Sequence, residues 1–159
     1  MTRRSNSRSS VISLLGKFTA PRRAICYPEK MIIELRQNRD LEQLLERSKT
    51  NPVLIFKHST QCPISAYSYK EFMTFAESSG DLACGVVLVI ENRRLSNTIE
   101  QVLNVQHESP QAIIVVGGRA VWHASHSSIT ADALGLVFAK LNSTQPQVNS
   151  NGEPAHQRD

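Results

Sequence analysis

A chain of 159 residues, 40% apolar and 20% charged, is long enough to bury one real core and has an ordinary globular composition. No apolar run approaches the roughly 20 residues of a membrane helix, and three irregularly spaced cysteines argue against a secreted disulfide framework. The net charge of +4 belongs to one end. Residues 1–30 hold seven Lys/Arg against one acid, Glu29, while residues 31–159 hold eleven basic and thirteen acidic residues, so the main body has no nucleic-acid footprint.

In chain order, Met31 to Leu35 offers a weak strand signal. Asp40 to Ser48 carries Leu41, Leu44 and Leu45 on one helical face, with Asp40 placed as the N-cap. Asn51-Pro52 breaks that helix, and Val53 to Phe56 reads as a buried strand. Pro63 opens a second helix at the position where a missing N–H costs nothing. Ile64, Tyr67, Phe72, Phe75 and Ala76 are assigned to its apolar face, and Gly80 to its stop. Val86 to Ile90 is all apolar, as a central strand covered on both sides requires. Leu95, Ile99, Val102 and Leu103 mark a third helix. Ile113–Val116 and Ala120–Ala124 flank Gly117-Gly118-Arg119 as an antiparallel hairpin. Leu134, Val137, Phe138 and Leu141 mark a last helix.

This order predicts an α/β fold of the thioredoxin-like kind, a three-layer α/β/α sandwich with a mixed sheet. Right-handed crossovers then bring the strand ends at Phe56 and Ile90 to one edge, where ligand chemistry collects in open sheets.

Cys62 falls at that edge, at the start of the second helix. Free N–H groups and the helix dipole there stabilise an anion, a setting that lowers a thiol pKa from about 8.5 toward neutrality or below. A thiolate is the nucleophile of thiol–disulfide exchange. Cys62-Pro63-Ile64-Ser65 is therefore a C-x-x-C redox motif whose second thiol is replaced by a hydroxyl. Ser65 cannot resolve a mixed disulfide, but it can donate a hydrogen bond to the Cys62 sulfur. The plain alternative is a small buried cysteine without chemistry. Cys84 starts the Val86–Ile90 strand at the far end, on the order of 20 Å from the reactive edge. A disulfide needs Cα atoms within about 7 Å, so Cys84 reads as a core residue. Nothing positions Cys26. His123 and His126, three apart on a strand, point to opposite faces and make no metal pair.

Three motifs stand in the order found in the monothiol bacilliredoxins: KHSTQCPIS at 57–65, HESPQ at 107–111 and VWHASHSSIT at 121–130. The chain resembles that family from about Leu41 to Leu141. The resemblance implies a thioredoxin-like fold and a Thr-x-Cys-Pro-Ile/Val-Ser site, matched here by Thr60, Cys62, Pro63 and Ser65. It also implies a role with bacillithiol, the low-molecular-weight thiol some bacteria use in place of glutathione. Ser127-Ser128 depart from it, where a bulky aromatic is expected beside the histidine. Thioredoxin-like proteins pack a cis-proline against the active cysteine, and Ser109-Pro110 holds that place. A cis bond there would offer backbone groups to a bound thiol; an ordinary trans turn proline is the alternative. A sugar–malate–cysteine thiol carries carboxylates. Lys57, His58, Arg93, Arg94 and His126, with Ser125 beside it, are accordingly the candidate ligand-binding residues, each alone also readable as a solvated surface residue.

The expectation is a monomeric, cytoplasmic thiol–disulfide oxidoreductase that takes bacillithiol or a similar thiol from S-thiolated client proteins. The small thiol is its co-substrate, with no bound cofactor, metal, nucleic acid or membrane partner. Two other readings stand beside it. One is an iron–sulfur carrier of the monothiol glutaredoxin kind, whose Cys-Gly-Phe-Ser motif and paired glycines are absent here. The other is a redox-inert thioredoxin-like interaction domain. No phosphate loop, paired catalytic carboxylates or nucleotide fingerprint is present. Around the domain at 31–142, residues 1–30 have the composition of a transit peptide. A disordered basic arm, or a stretch upstream of a true start at Met31, fits a bacterial resemblance better. Residues 143–159 are polar, without apolar periodicity, and read as a disordered tail.

Overall fold

The computed structural model describes residues 32–144; the expectations for residues 1–30, including Cys26, and for the tail past Thr144 lie outside them. The weak signal near Met31 is a strand, β1 (Ile32–Glu34). Helix α1 (Asn38–Arg47) starts earlier than expected, with Gln37 as its N-cap and Asp40 inside its first turn. The Asp40 carboxylate accepts the backbone N–H groups of Arg36 (2.9 Å) and Gln37 (3.1 Å), so it satisfies donors at the helix start by reaching back rather than by standing at the cap.

Strands β2 (Val53–His58) and β3 (Ala83–Leu88) are the covered apolar strands, and β3 ends before Ile90, which is exposed. Between them, α2 (Pro63–Ser78) opens on Pro63 and ends ahead of Gly80, whose φ of 61° is the left-handed turn that glycine tolerates. Its buried side is Ser65, Ser68, Phe72, Phe75 and Ala76. Ile64 and Tyr67, expected there, are 51% and 59% exposed. They begin a stripe one residue out of phase with the buried one, which recurs at three- and four-residue steps from Ser65. In α3 (Arg93–Leu103), Leu95, Ile99 and Leu103 are buried, while Val102 faces solvent. The hairpin of β4 (Gln111–Val116) and β5 (Arg119–Ser125) turns through Gly117 and Gly118, both at positive φ. A 3-10 turn (His126–Ser128) leads to α4 (Ala131–Thr144), which packs on α2 and runs past the domain end expected at 142.

The five strands lie in the order β1-β3-β2-β4-β5; β1, β2 and β3 are parallel, and β4 runs antiparallel to both β2 and β5. Strand alternation divides the core in two. Val53 and Ile55 face α1 and α3, packing with Leu41, Leu44, Leu95 and Ile99. Leu54 and Phe56 face α2 and α4, packing with Phe72, Phe75 and Phe138. The result is the expected α/β/α sandwich on a mixed sheet. Gly85, central in β3, lets α1 approach: a Cβ there would lie 2.6 Å from Leu44 Cδ2 and 2.9 Å from Leu35 Cδ1. No helix among the described residues is long and apolar enough to cross a membrane.

Candidate active site

Cys62 is the N-cap of α2, in extended backbone conformation, half-buried and free. Its N–H donates to the Ser59 carbonyl (3.3 Å), and its own carbonyl accepts from Ala66 N–H (3.0 Å), closing the first helical turn. Pro63 has no N–H, so the amides of Ile64 and Ser65 carry the partial positive charge of the helix start that Cys62 caps, although the Cys62 side chain itself makes no cap hydrogen bond. Cys84 sits in β3 opposite Ile32 and Leu54, at the other end of the sheet, and burial pushes its thiol up to about 12. Among the described residues, Cys62 is thus the one accessible thiol.

Ser65 is fully buried, and its hydroxyl is engaged differently from expectation. It accepts the Ser59 N–H at 2.9 Å and shares a hydrogen bond of 2.8 Å with His58 Nδ1. The link expected from Ser65 to the Cys62 sulfur is replaced by one from Ser65 to the end of β2. The reason is strand alternation: His58 follows Leu54 and Phe56 onto the α2 face, where it stacks on Tyr69 at 4.7 Å between ring centroids. Burial lowers the His58 pKa, opposed by the Glu91 carboxylate. His58 therefore favours its neutral form and is not the ligand-facing cation that was expected.

The Ser109–Pro110 bond is cis, as the resemblance implied. The Pro110 carbonyl accepts the His126 N–H (3.1 Å), extending the β4–β5 ladder by one pair. His126 has φ 55°, and its carbonyl accepts the Ser68 hydroxyl (2.9 Å). That bond fastens the end of β5 to α2. A shallow groove results next to Cys62, lined by Pro63, Ile64, Tyr67, His126 and Ser127. The exposed Ile64 and Tyr67 are its walls.

Of the other expected cations, Lys57 is fully buried on the α1/α3 face, where its Nζ meets His107 Nδ1 at 3.4 Å. Desolvation drives its pKa down to about 8, against the pull of Glu100. Lys57 sits one residue before the strand end and shares its face with Val53 and Ile55, so it lies behind the site. Arg93 and Arg94 open α3 at the same sheet edge, but line a separate depression with Arg36 and Gln37. The Thr60 hydroxyl donates to Glu91 (3.1 Å), a carboxylate that lines that depression. Only His126 among these cations borders the groove. Ser125 lies opposite Gln111, which lies opposite Lys57. Ser125 Oγ, Ser109 Oγ and Gln111 Oε1 are buried without a hydrogen-bond partner among the described residues.

Sequence reasoning missed Tyr69, His107 and Glu91. Tyr69 had a signal: it stands four residues after Ser65 on the buried side of the helix. His107 opens the HESPQ motif, but its meeting with Lys57 was not legible, because residues fifty apart in sequence come together only in the folded chain.

Comparison with known proteins agrees with this frame. The family model described as monothiol bacilliredoxin BrxC matches residues 33–134. A solved structure described as a candidate oxidoreductase with a thioredoxin fold shares 36% identity and a TM-score of 0.60, covering 67% of this chain and 92% of that one. Reduced thioredoxin pre-protein of Schistosoma mansoni (23% identity, TM-score 0.56) covers 69% of this chain and 97% of its own. Spinach chloroplast thioredoxin f (13%, TM-score 0.58) covers 73% and 97%; at such identities the likeness is one of fold. The family match extends over nearly all of the sheet and all three site motifs, so the chain belongs to the monothiol bacilliredoxin family, with a thioredoxin fold and a thiol-redox role.

Proposed function

We propose that the protein removes bacillithiol, or a closely similar low-molecular-weight thiol, from S-thiolated client proteins through Cys62. The observation that carries this reading is the isolation of the thiol among the described residues: Cys62 is accessible at a helix N-terminus, the residue one turn on is a buried serine, and Cys84 is in the core at the opposite end. A thiol so placed exchanges disulfides without closing one internally.

The Cys62 thiolate attacks the bacillithiol sulfur of the mixed disulfide. The client sulfur leaves as a thiolate, and a new disulfide joins bacillithiol to Cys62. A second thiolate, from free bacillithiol or a reducing partner, then attacks the cap and leaves as a disulfide, restoring Cys62. Each step breaks one S–S bond and forms one, with no net redox change in the first. The groove beside Pro63 accommodates the capped client, and the reaction belongs to a reducing cytoplasm, with the protein acting as a monomer.

The test is client release followed by mass spectrometry, with bacillithiolated and glutathionylated forms of one client. The expected result is faster release from the bacillithiolated form, lost in Cys62→Ser. Equal rates would remove the preference for bacillithiol, and release by Cys62→Ser would remove the mechanism.

A further inference from the structure

We propose that the depression at the ends of β1 and β3 is the seat of the small thiol. Arg93 and Arg94 there hold an anionic group of that molecule, a carboxylate or phosphate, while its sulfur is exchanged at Cys62. This deepens the exchange reading above and rests on it for the chemistry at Cys62.

Sheet order sets the arrangement. Strands β1, β2, β3 and β5 all end at the reactive edge, in the lateral order β1-β3-β2-β4-β5. Cys62 follows β2, in the middle. The apolar groove lies to the β5 side, between Ile64 and Tyr67 of α2 and His126 after β5. The depression lies to the other side, between Arg36 after β1 and Glu91 to Leu95 after β3. Its volume of about 440 Å³ is that of a small-molecule site. Thr60 joins it to the thiol: its hydroxyl donates to Glu91 (3.1 Å), and Cys62 is two residues on, a step of at most about 7 Å. A molecule joined to Cys62 through sulfur therefore has the depression within reach of its other end, while the groove is left to the polypeptide.

The lining is cationic, and its charge is not neutralised by the fold. Arg93 and Arg94 are exposed and form no salt bridge among the described residues, whereas Arg36 is paired with Glu34 at 2.9 Å. Glu91, the one carboxylate of the lining, takes the Thr60 hydroxyl. Arg93 and Arg94 are also the first two residues of α3, where the helix dipole is already positive. That first turn contains no acid, and Asn92 makes no side-chain cap bond. The start of α1 borders the same depression and is charged the opposite way, with Asp40 accepting the Arg36 and Gln37 N–H groups. Two guanidiniums placed against a helix dipole, beside a recess and without a carboxylate partner, are accounted for by an anion that they bind. Arginine presents paired N–H donors that suit a carboxylate or a phosphate.

The test uses small disulfides that differ in charge: dithiodipropionate, which is anionic, hydroxyethyl disulfide, which is neutral, and cystamine, which is cationic. With each, the Cys62 thiolate attacks one sulfur, a Cys62–S bond forms, and the other half leaves as a thiolate. The rate of capping at Cys62 is followed by peptide mapping in the wild type, Arg93→Gln, Arg94→Gln and the double variant. Arg119→Gln removes an arginine at the hairpin, at the far end of the sheet, and serves as the control. The ratio of anionic to neutral rate is expected to fall about threefold in each single variant and about tenfold in the double variant. Added salt should lower the ratio in the wild type and not in the double variant. The ratio of cationic to neutral rate should rise, and Arg119→Gln should move neither. Thermal midpoints of the α3 variants should not fall, because the charges removed oppose the helix dipole. None of these probes is bacillithiol, so the outcome is independent of the preference tested above. A ratio unchanged in the double variant, or lowered as far by Arg119→Gln, overturns the proposal. So does an effect of the two arginines seen only with an acidic client capped by a neutral thiol, which would put the anion on the client.

Discussion

Lys57 shows most plainly how one side chain departs from its appearance in the sequence. It stands next to His58 in an exposed-looking KHST segment, yet it is buried and held near pKa 8, below its ordinary 10.5. The folded protein gives up this proton near pH 8, the unfolded chain near 10.5. Between those values the unfolded chain binds more protons, so this group makes stability rise with pH; the gain is complete above 10.5 and lost as pH falls through 8. Lys57→Met should therefore be more stable than the wild type below pH 8, by about 1–3 kcal/mol. The difference should close between pH 8 and 10.5 when denaturant midpoints are compared. A difference independent of pH would show that Lys57 is not titrating in the folded state. The two cysteines of the described residues, Cys62 and Cys84, give a second expectation at this scale. With its thiol pushed to about 12 and buried, Cys84 should resist alkylation in the native protein and react only once denaturant is added, while Cys62 reacts at once.

At the scale of elements, most of the fold was legible, and the misreadings share one cause. Hydrophobic periodicity gave each helix and strand, and Gly117-Gly118 and Gly80 fall at positive φ, as a hairpin turn and a helix stop require. Ile64, Tyr67 and Val102 were misplaced because apolar type alone does not fix the face of a helix. The buried stripe of α2 runs through Ser65 and Ser68, two serines whose hydroxyls find partners inside. The cis Ser109–Pro110 bond was legible only through the family resemblance, while the alternation that sends Lys57 and His58 to opposite faces was present in the β2 sequence and went unused. Packing between layers was not legible at all. Gly85 is the clearest case, since only the assembled sheet shows Leu35 and Leu44 against it. Gly85→Ala should destabilise the protein by about 1–3 kcal/mol, because both leucines are themselves fully buried and cannot withdraw. Thermal or urea unfolding checks this, and a neutral effect would mean that α1 shifts freely on the sheet.

For the whole molecule, the sheet edge collects the chemistry while the two cores on either side of it fix the geometry. The α2 layer brings Cys62, Ser65, Tyr69 and the His126 turn together, and the α1/α3 layer holds Lys57, His107 and the arginines apart from them. The charge expected to draw an anionic thiol to the groove is therefore largely elsewhere, and the groove itself is mostly apolar in its walls. A site with one accessible thiol among the described residues should also change character when given a second. Ser65→Cys supplies a resolving thiol one turn from Cys62 while removing the hydroxyl that holds His58. It should shift the capped state of Cys62 toward an internal disulfide, seen as loss of the small-thiol adduct by intact mass. The most direct measurement follows from the same logic: mix the reduced protein with a bacillithiolated client, quench with acid, and locate the adduct by peptide mapping. The account predicts bacillithiol on Cys62 alone, in amounts equal to the client thiol set free. Client released with no adduct on Cys62, or an adduct spread over other cysteines, would contradict it.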